Sequence, residues 1–375
     1  MKIAMILPHF YPYVGGGEHL FYCLAKGFVA KGHQVRVVTR NVGEEYLGDK
    51  VVDGIEVKYC PWKEMFGHPF PKKKDIVDAV KWCDVVHTST YTTSAITSRL
   101  ARKYKKPSVI TIHEVRGNKW YWCDNFINAT IFYIVEQWSC RQKFDIYHSV
   151  SDSTSRDIKK FCGKNKNVIR VYNANEVDPS LANPDFSLRE YFGLNATDRI
   201  FLYYGRPGKT KGIQVYEKAL LSLKKKNAFA DDVKFCFVLG EEPKDLRKAF
   251  ISHIEKEGLS DKVLFQHSLG RPDLMAAIMQ ADYVVVPSIT EGFGFSALEA
   301  CQLGTPLIYS DGCSLPEVTY GKVLDFANRD ADQLEDRIKA VMDKGIDAFK
   351  DVPAKTFKME DMIDGVEKIL LDLVK

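Results

Sequence analysis

With 375 residues, 45% of them hydrophobic and 27% charged, the chain is too long for one ordinary hydrophobic core and has the composition of a globular protein. Its net charge of +4 and its short basic clusters, PKKKD at 71–75 and LKKKN at 223–227, argue against a nucleic-acid groove. No apolar stretch approaches the roughly 20 residues needed to cross a bilayer. The nine cysteines lack the paired spacing of a zinc site and read as reduced thiols. The opening MKIAMILP is too short for a signal-peptide core, so the expected location is cytoplasmic, with the inner face of the membrane as the second option.

In chain order, apolar runs rich in β-branched residues alternate with helical patterns. KIAMIL, QVRVVT, DVVHTS, SVITIH, DIYHSV and VIRVY form a first set; RIFLYYG, VKFCFVLG, KVLFQH, DYVVVPS and PLIYSD form a second. Strands that are hydrophobic almost throughout are expected where helices cover both faces of a parallel sheet. The polar passage 173–198, with Pro179 and Pro184, separates the sets. The expectation is α/β, with Rossmann-like parallel-sheet domains over 1–172 and 173–355. Residues 356–375 carry Met362, Val366, Ile369, Leu370 and Leu373 on one stripe, and are expected to form a terminal helix packing back on the first domain.

Three loops follow strand ends. In PHFYPYVGGGEHL, Gly16 and Gly17 let backbone N–H groups approach an anion at a helix start, although neither the Gly-x-Gly-x-x-Gly nor the P-loop spacing is present. A plain turn is the other reading. GRPGKTKG places Arg206 and Lys211 after a strand, where ligands bind in open α/β sheets, and that pair of cations suits a diphosphate; a solvated surface is the alternative. ITEGFGFSALEA sets Glu291 and Glu299 around Gly292, Phe293, Gly294 and Phe295, with a helix from about Ser296 that puts Glu299 near its first turn. Carboxylates accept hydrogen bonds from vicinal hydroxyls, and glycine-loop N–H groups suit an oxygen-rich ligand. The alternatives are acids that merely complement a helix terminus, or a glycosidase pair. Cations for a diphosphate beside acids for hydroxyls indicate a nucleotide sugar.

EGFGFSALEA resembles the Glu-x7-Glu motif of the retaining GT-B glycosyltransferases of family 4 (group 1), and GRPGKTKG resembles that family's Gly-Arg-x4-Lys-Gly element. DVVHTS, PSVITIHE and SVSDSTSRDI follow the family's order, so the likeness covers nearly the whole chain. It implies two Rossmann-like domains facing a deep interdomain cleft, the first on the acceptor side and the second binding a UDP-, GDP- or ADP-sugar. It implies transfer with retention, no metal and no cofactor, and no side-chain nucleophile. Arg206 and Lys211 would hold the diphosphate. Gly16 and Gly17 would approach it, Glu291 and the N–H groups of Phe293, Gly294 and Phe295 would hold the sugar, and Glu299 the ribose. His113 would face the donor sugar. NANEVD departs from the family's turn in having Glu176 in place of glycine.

The acceptor would be a glycan, a lipid-linked sugar or a small molecule, with no nucleic acid involved, and the sequence leaves the oligomeric state open. Aromatics crowd residues 113–140, where the family borders its acceptor cleft: Trp120, Tyr121, Trp122, Phe126, Phe132, Tyr133 and Trp138. A helix packed in the core is the other reading. Residues 60–74 pair aromatics with lysines and suggest weak peripheral contact with a membrane. A nucleotide-sugar 2-epimerase of the same architecture and a silent nucleotide-sugar-binding subunit are the competing functions.

Overall fold

A computed structural model describes residues 1–13, 15–65 and 68–375. Segment 60–74 contains Phe66 and Gly67, which lie outside the described residues. The chain divides into two compact units, Met1–Ala174 with Phe357–Lys375, and Asn175–Thr356.

In the first unit β1 (Lys2–Ile6), α1 (Gly16–Ala30) and β2 (Gln34–Arg40) are followed by β3 (Gly48–Val52) and β4 (Ile55–Cys60). A two-residue ribbon, β5 (Glu64–Met65) with β6 (His68–Pro69), leads to α2 (Lys73–Trp82), β7 (Val85–Ser89), α3 (Thr92–Lys103) and β8 (Ser108–Ile112). Next come α4 (Trp120–Cys123), α5 (Phe126–Cys140), β9 (Ile146–Ser149), α6 (Asp152–Asp157) and β10 (Val168–Arg170). The eight-stranded sheet runs β10-β9-β8-β7-β1-β2-β4-β3. Successive residues of a strand face opposite sides. Ile3 and Met5 therefore join Leu24 and Phe28 of α1, while Ala4 and Ile6 join Ile76, Val80 and Leu100 of α2 and α3.

The second unit holds α7 (Leu188–Phe192), β11 (Arg199–Gly205), α8 (Ile213–Lys225), β12 (Val233–Leu239), α9 (Lys244–Lys256), β13 (Val263–His267) and α10 (Arg271–Gln280). It continues through β14 (Tyr283–Val286), α11 (Phe295–Gln302), β15 (Leu307–Ser310), α12 (Leu315–Val318), β16 (Gly321–Phe326), α13 (Ala331–Lys344) and β17 (Lys350–Val352). Its sheet runs β13-β12-β11-β14-β15-β16-β17. On one face Phe201, Tyr203, Phe235, Phe237 and Tyr216 stack, with centroids 5.1 Å apart for Phe201–Phe235 and for Tyr216–Phe237. On the other, Leu202 and Tyr204 pack with Ala297 and Ala300 of α11.

The α/β class holds, and all eleven apolar runs are strands. The hairpin β3–β4 and the strands β16 and β17 were not among them. β3 and β17 are antiparallel edge strands, largely exposed and without the continuous apolar pattern that marks a buried parallel strand. The turn at Asp53–Gly54, with φ of 49° and 80°, is the signal that announces the hairpin.

The last helix, α14 (Met359–Val374), returns to the first unit and lies on α1. Gly27 makes the approach close, since a Cβ there would meet Ile363 Cδ1 at 2.6 Å. Met362, Val366, Ile369 and Leu370 enter the core beside β1 and β2.

Candidate functional site

Both sheets are doubly wound, and each reverses its winding between its first strand and the strand beside it. Those points fall between β1 and β7, and between β11 and β14. Loops leaving the carboxyl ends of such a pair splay apart and open a crevice. The second unit's charged loops leave this pair: Arg206 and Lys211 follow β11, and Glu291 follows β14.

Backbone hydrogen bonds tie the two loops together. The Thr210 carbonyl accepts from the N–H groups of Ile289 and Thr290, at 2.8 and 3.2 Å. Gly212 closes the first loop in the left-handed region (φ 72°), where a Cβ would lie 1.7 Å from the Pro287 carbonyl oxygen. Lys211 Nζ thereby reaches Glu291 Oε1 at 2.6 Å, and Ser288 Oγ donates to the same oxygen at 2.9 Å. Gly212→Ala combines a disfavoured φ with that clash, and is expected to cost ~3 kcal/mol or more. Urea denaturation monitored by far-ultraviolet circular dichroism checks this; a midpoint equal to that of the parent refutes the account of the loop.

Gly294, at φ 97°, caps α11, and a Cβ there would press on Leu315 Cδ2 at 2.7 Å. The helix begins at Phe295, one residue earlier than expected, so Glu299 sits in its second turn. The Phe293 side chain is buried and meets the half-buried Phe295 edge-on at 5.2 Å, so what Phe293 offers a ligand is backbone.

Glu299 is paired too. Its Oε1 accepts from Arg271 Nη1, at the start of α10, and from Asn175 Nδ2 at 3.2 Å. Sequence reasoning overlooked Arg271; a Gly-Arg-Pro helix start was the available signal. Arg206, by contrast, is exposed and makes no ion pair among the described residues. The second unit thus presents two cation–carboxylate pairs and one uncommitted guanidinium around a glycine loop at a helix start, a donor-and-acceptor set matched to phosphates and hydroxyls.

In the first unit, Gly16 opens α1, and Gly17 faces His113, the residue after β8. A Cβ at Gly17 would stand 3.3 Å from His113 Nε2. Behind them runs a buried chain: His87 Nε2 meets Thr111 Oγ1 at 2.7 Å, Thr111 Oγ1 meets His148 Nδ1 at 2.8 Å, and His148 Nε2 meets the Val171 carbonyl at 3.1 Å. Phe21 packs edge-on against both His87 and His113. Desolvation by burial, then the proximity of His148, lowers the pKa of His113 to about 4. Part of the His113 surface stays open, but protein surrounds the ring closely enough to keep it neutral. His87 is fully buried and thus unable to touch a ligand; His267 is exposed and paired with Glu241.

Comparison with known proteins brings the two units under one heading. Residues 14–178 match the family signature "Glycosyltransferase Family 4", and residues 186–353 match "Glycosyl transferases group 1". An uncharacterised glycosyltransferase of Methanocaldococcus jannaschii is 26% identical over 85% of this chain and 82% of its own. GDP-mannose:cellobiosyl-diphosphopolyprenol alpha-mannosyltransferase of Xanthomonas oryzae is 26% identical over 83% of this chain and 79% of its own. In fold, the chain is similar to Anabaena HepE in complex with UDP and glucose, with a TM-score of 0.75, 17% identity and full coverage of both chains.

Proposed function

The chain belongs to the group 1, family 4 glycosyltransferases, and on that premise we propose that it moves a sugar from a nucleotide-diphosphate sugar to a glycan, lipid-linked or small-molecule acceptor, with retention and without a metal ion. The observation that carries this reading is the Lys211–Glu291 pair at 2.6 Å, held where β11 and β14 part, with Arg206 uncommitted beside it. An ammonium has three donors, so Lys211 can keep Glu291 and still reach a phosphate oxygen. Arg206 adds the forked guanidinium, and the two cations offset the charge that grows on the leaving diphosphate.

Glu291 and the N–H groups of Phe293, Gly294 and Phe295 hold the sugar; Glu299, oriented by Arg271, takes the ribose hydroxyls. In the first unit, the N–H groups of Gly16 and Gly17 at the start of α1 suit an anion. His113 is neutral, so it meets a sugar hydroxyl or a ring gaining positive charge without opposing it. The bond from the anomeric carbon to the phosphate oxygen breaks, the acceptor oxygen bonds on the same face, and its proton passes to the departing phosphate. UDP and glucose bound to HepE, and the polyprenol-linked acceptor named for the Xanthomonas relative, support these substrate classes. The cytosol or the inner face of a membrane is the corresponding site of action.

Incubation of the pure protein with UDP-, GDP- and ADP-sugars and an acceptor panel, read by mass spectrometry, tests the reading. One donor should release its nucleoside diphosphate with an α-configured product from an α-configured donor, and should do so in EDTA. An epimerised sugar nucleotide without transfer, or an inverted product, overturns it.

A further inference from the structure

One surface of the first unit carries none of the residues named in this scheme. Along α5 the side chains of Phe126, Ile127, Ile131, Ile134, Val135 and Trp138 point outward; Phe126 and Ile127 are 75% and 71% exposed, and Trp138 is 53%. The opposite side of the same helix buries Ala129, Glu136, Ser139 and Cys140. Glu136 is fully covered and accepts from the backbone N–H groups of Arg116 and Gly117, at 2.9 and 2.7 Å. The helix is therefore seated largely by polar and small residues, with Phe132 stacked on Trp120, and turns most of its large apolar residues to solvent, the reverse of an ordinary surface helix. It presents an apolar ridge about 18 Å long.

The surroundings of the ridge are basic. Trp138 and Val135 line a cavity of about 350 Å³ together with Tyr91, Ile96, Phe70 and Arg99. Phe70 leads straight into Pro71 and the exposed Lys72, Lys73 and Lys74 at the start of α2. Among the described residues none of these lysines, nor Arg99, makes an ion pair. The ridge itself carries no exposed acid, and Asp124 at its head has Oδ1 occupied by Asn125 N and Asn128 Nδ2.

From this we infer that the α5 ridge with the Lys72–Lys74 and Arg99 rim is a docking surface for an anionic lipid bilayer, with the apolar side chains entering the interface and the cations meeting lipid phosphates. A two-fold contact with a second copy would set basic rim against basic rim, which the charge pattern disfavours. The inference goes beyond the donor and acceptor reading and needs no nucleotide.

The full chain, without nucleotide, is sedimented with phosphatidylcholine vesicles with and without phosphatidylglycerol. Retention should depend on phosphatidylglycerol and fall with salt. Ile131→Glu/Ile134→Glu and, separately, Lys73→Glu/Lys74→Glu should each weaken it about tenfold, with circular dichroism unchanged because all four positions are exposed. Full recovery of the parent chain in the supernatant of anionic vesicles overturns the inference. So does light scattering that shows a dimer which the isoleucine variant dissociates, because a second copy then covers the ridge.

Discussion

Glu291→Ala is expected to lower the kcat/KM for the donor sugar at least about a hundredfold, with little change in how tightly the free nucleoside diphosphate binds. The carboxylate is gripped at one oxygen by Lys211 and Ser288, so its position is set before any ligand arrives. Lys211→Ala should instead weaken the nucleoside diphosphate, because it removes a cation from the phosphate loop. Because the two side chains form one ion pair, the double variant should lose less than the sum of the single losses. Steady-state kinetics beside calorimetry of the nucleoside diphosphate separates the effects. If Glu291→Ala turns over like the parent, the sugar-holding role is wrong.

Acid should destabilise the protein well above the pH at which carboxylates protonate. Burial lowers His87 to about 3, and His113 and His148 to about 4, while the unfolded chain's histidines titrate near 6.5. Between pH 6.5 and 4 the unfolded state takes up protons that the folded state refuses. Stability is thus full above 6.5 and lost as the pH falls through that window. At pH 5 the loss amounts to roughly 2 kcal/mol for each histidine. The midpoint of thermal unfolding should drop steeply between pH 6.5 and 5, and His148→Gln should flatten the drop. A midpoint that stays level over that interval would show that the cluster is solvated.

The fold class was legible because parallel strands covered on both faces are written as continuous apolar runs. β3 and β17, exposed at sheet edges, carry no such mark. In the site, features local in the chain could be read directly: cations after RIFLYYG, glycines between acids, a helix after them. Pairings across distant segments could not. Nothing in the spacing says that Arg271 belongs to Glu299, 28 residues on, or that Thr210 is bonded to Ile289; these follow only from strand order, which sets β14 beside β11. The aromatic segment 120–138 left two readings open, and its orientation decided against a packed-core helix: Phe126 and Trp138 face outward while Glu136 faces in.

The return of α14 to α1 bears on the order in which the molecule is made. The first unit's sheet emerges from the ribosome before the second unit, yet Met362, Val366, Ile369 and Leu370, which seal its core beside Leu24 and Phe28, are not synthesised until all of Asn175–Thr356 has been. During translation the earlier half must wait with an apolar face uncovered, a period in which a chaperone has a defined place to bind, while the later half already has every residue that its own core requires.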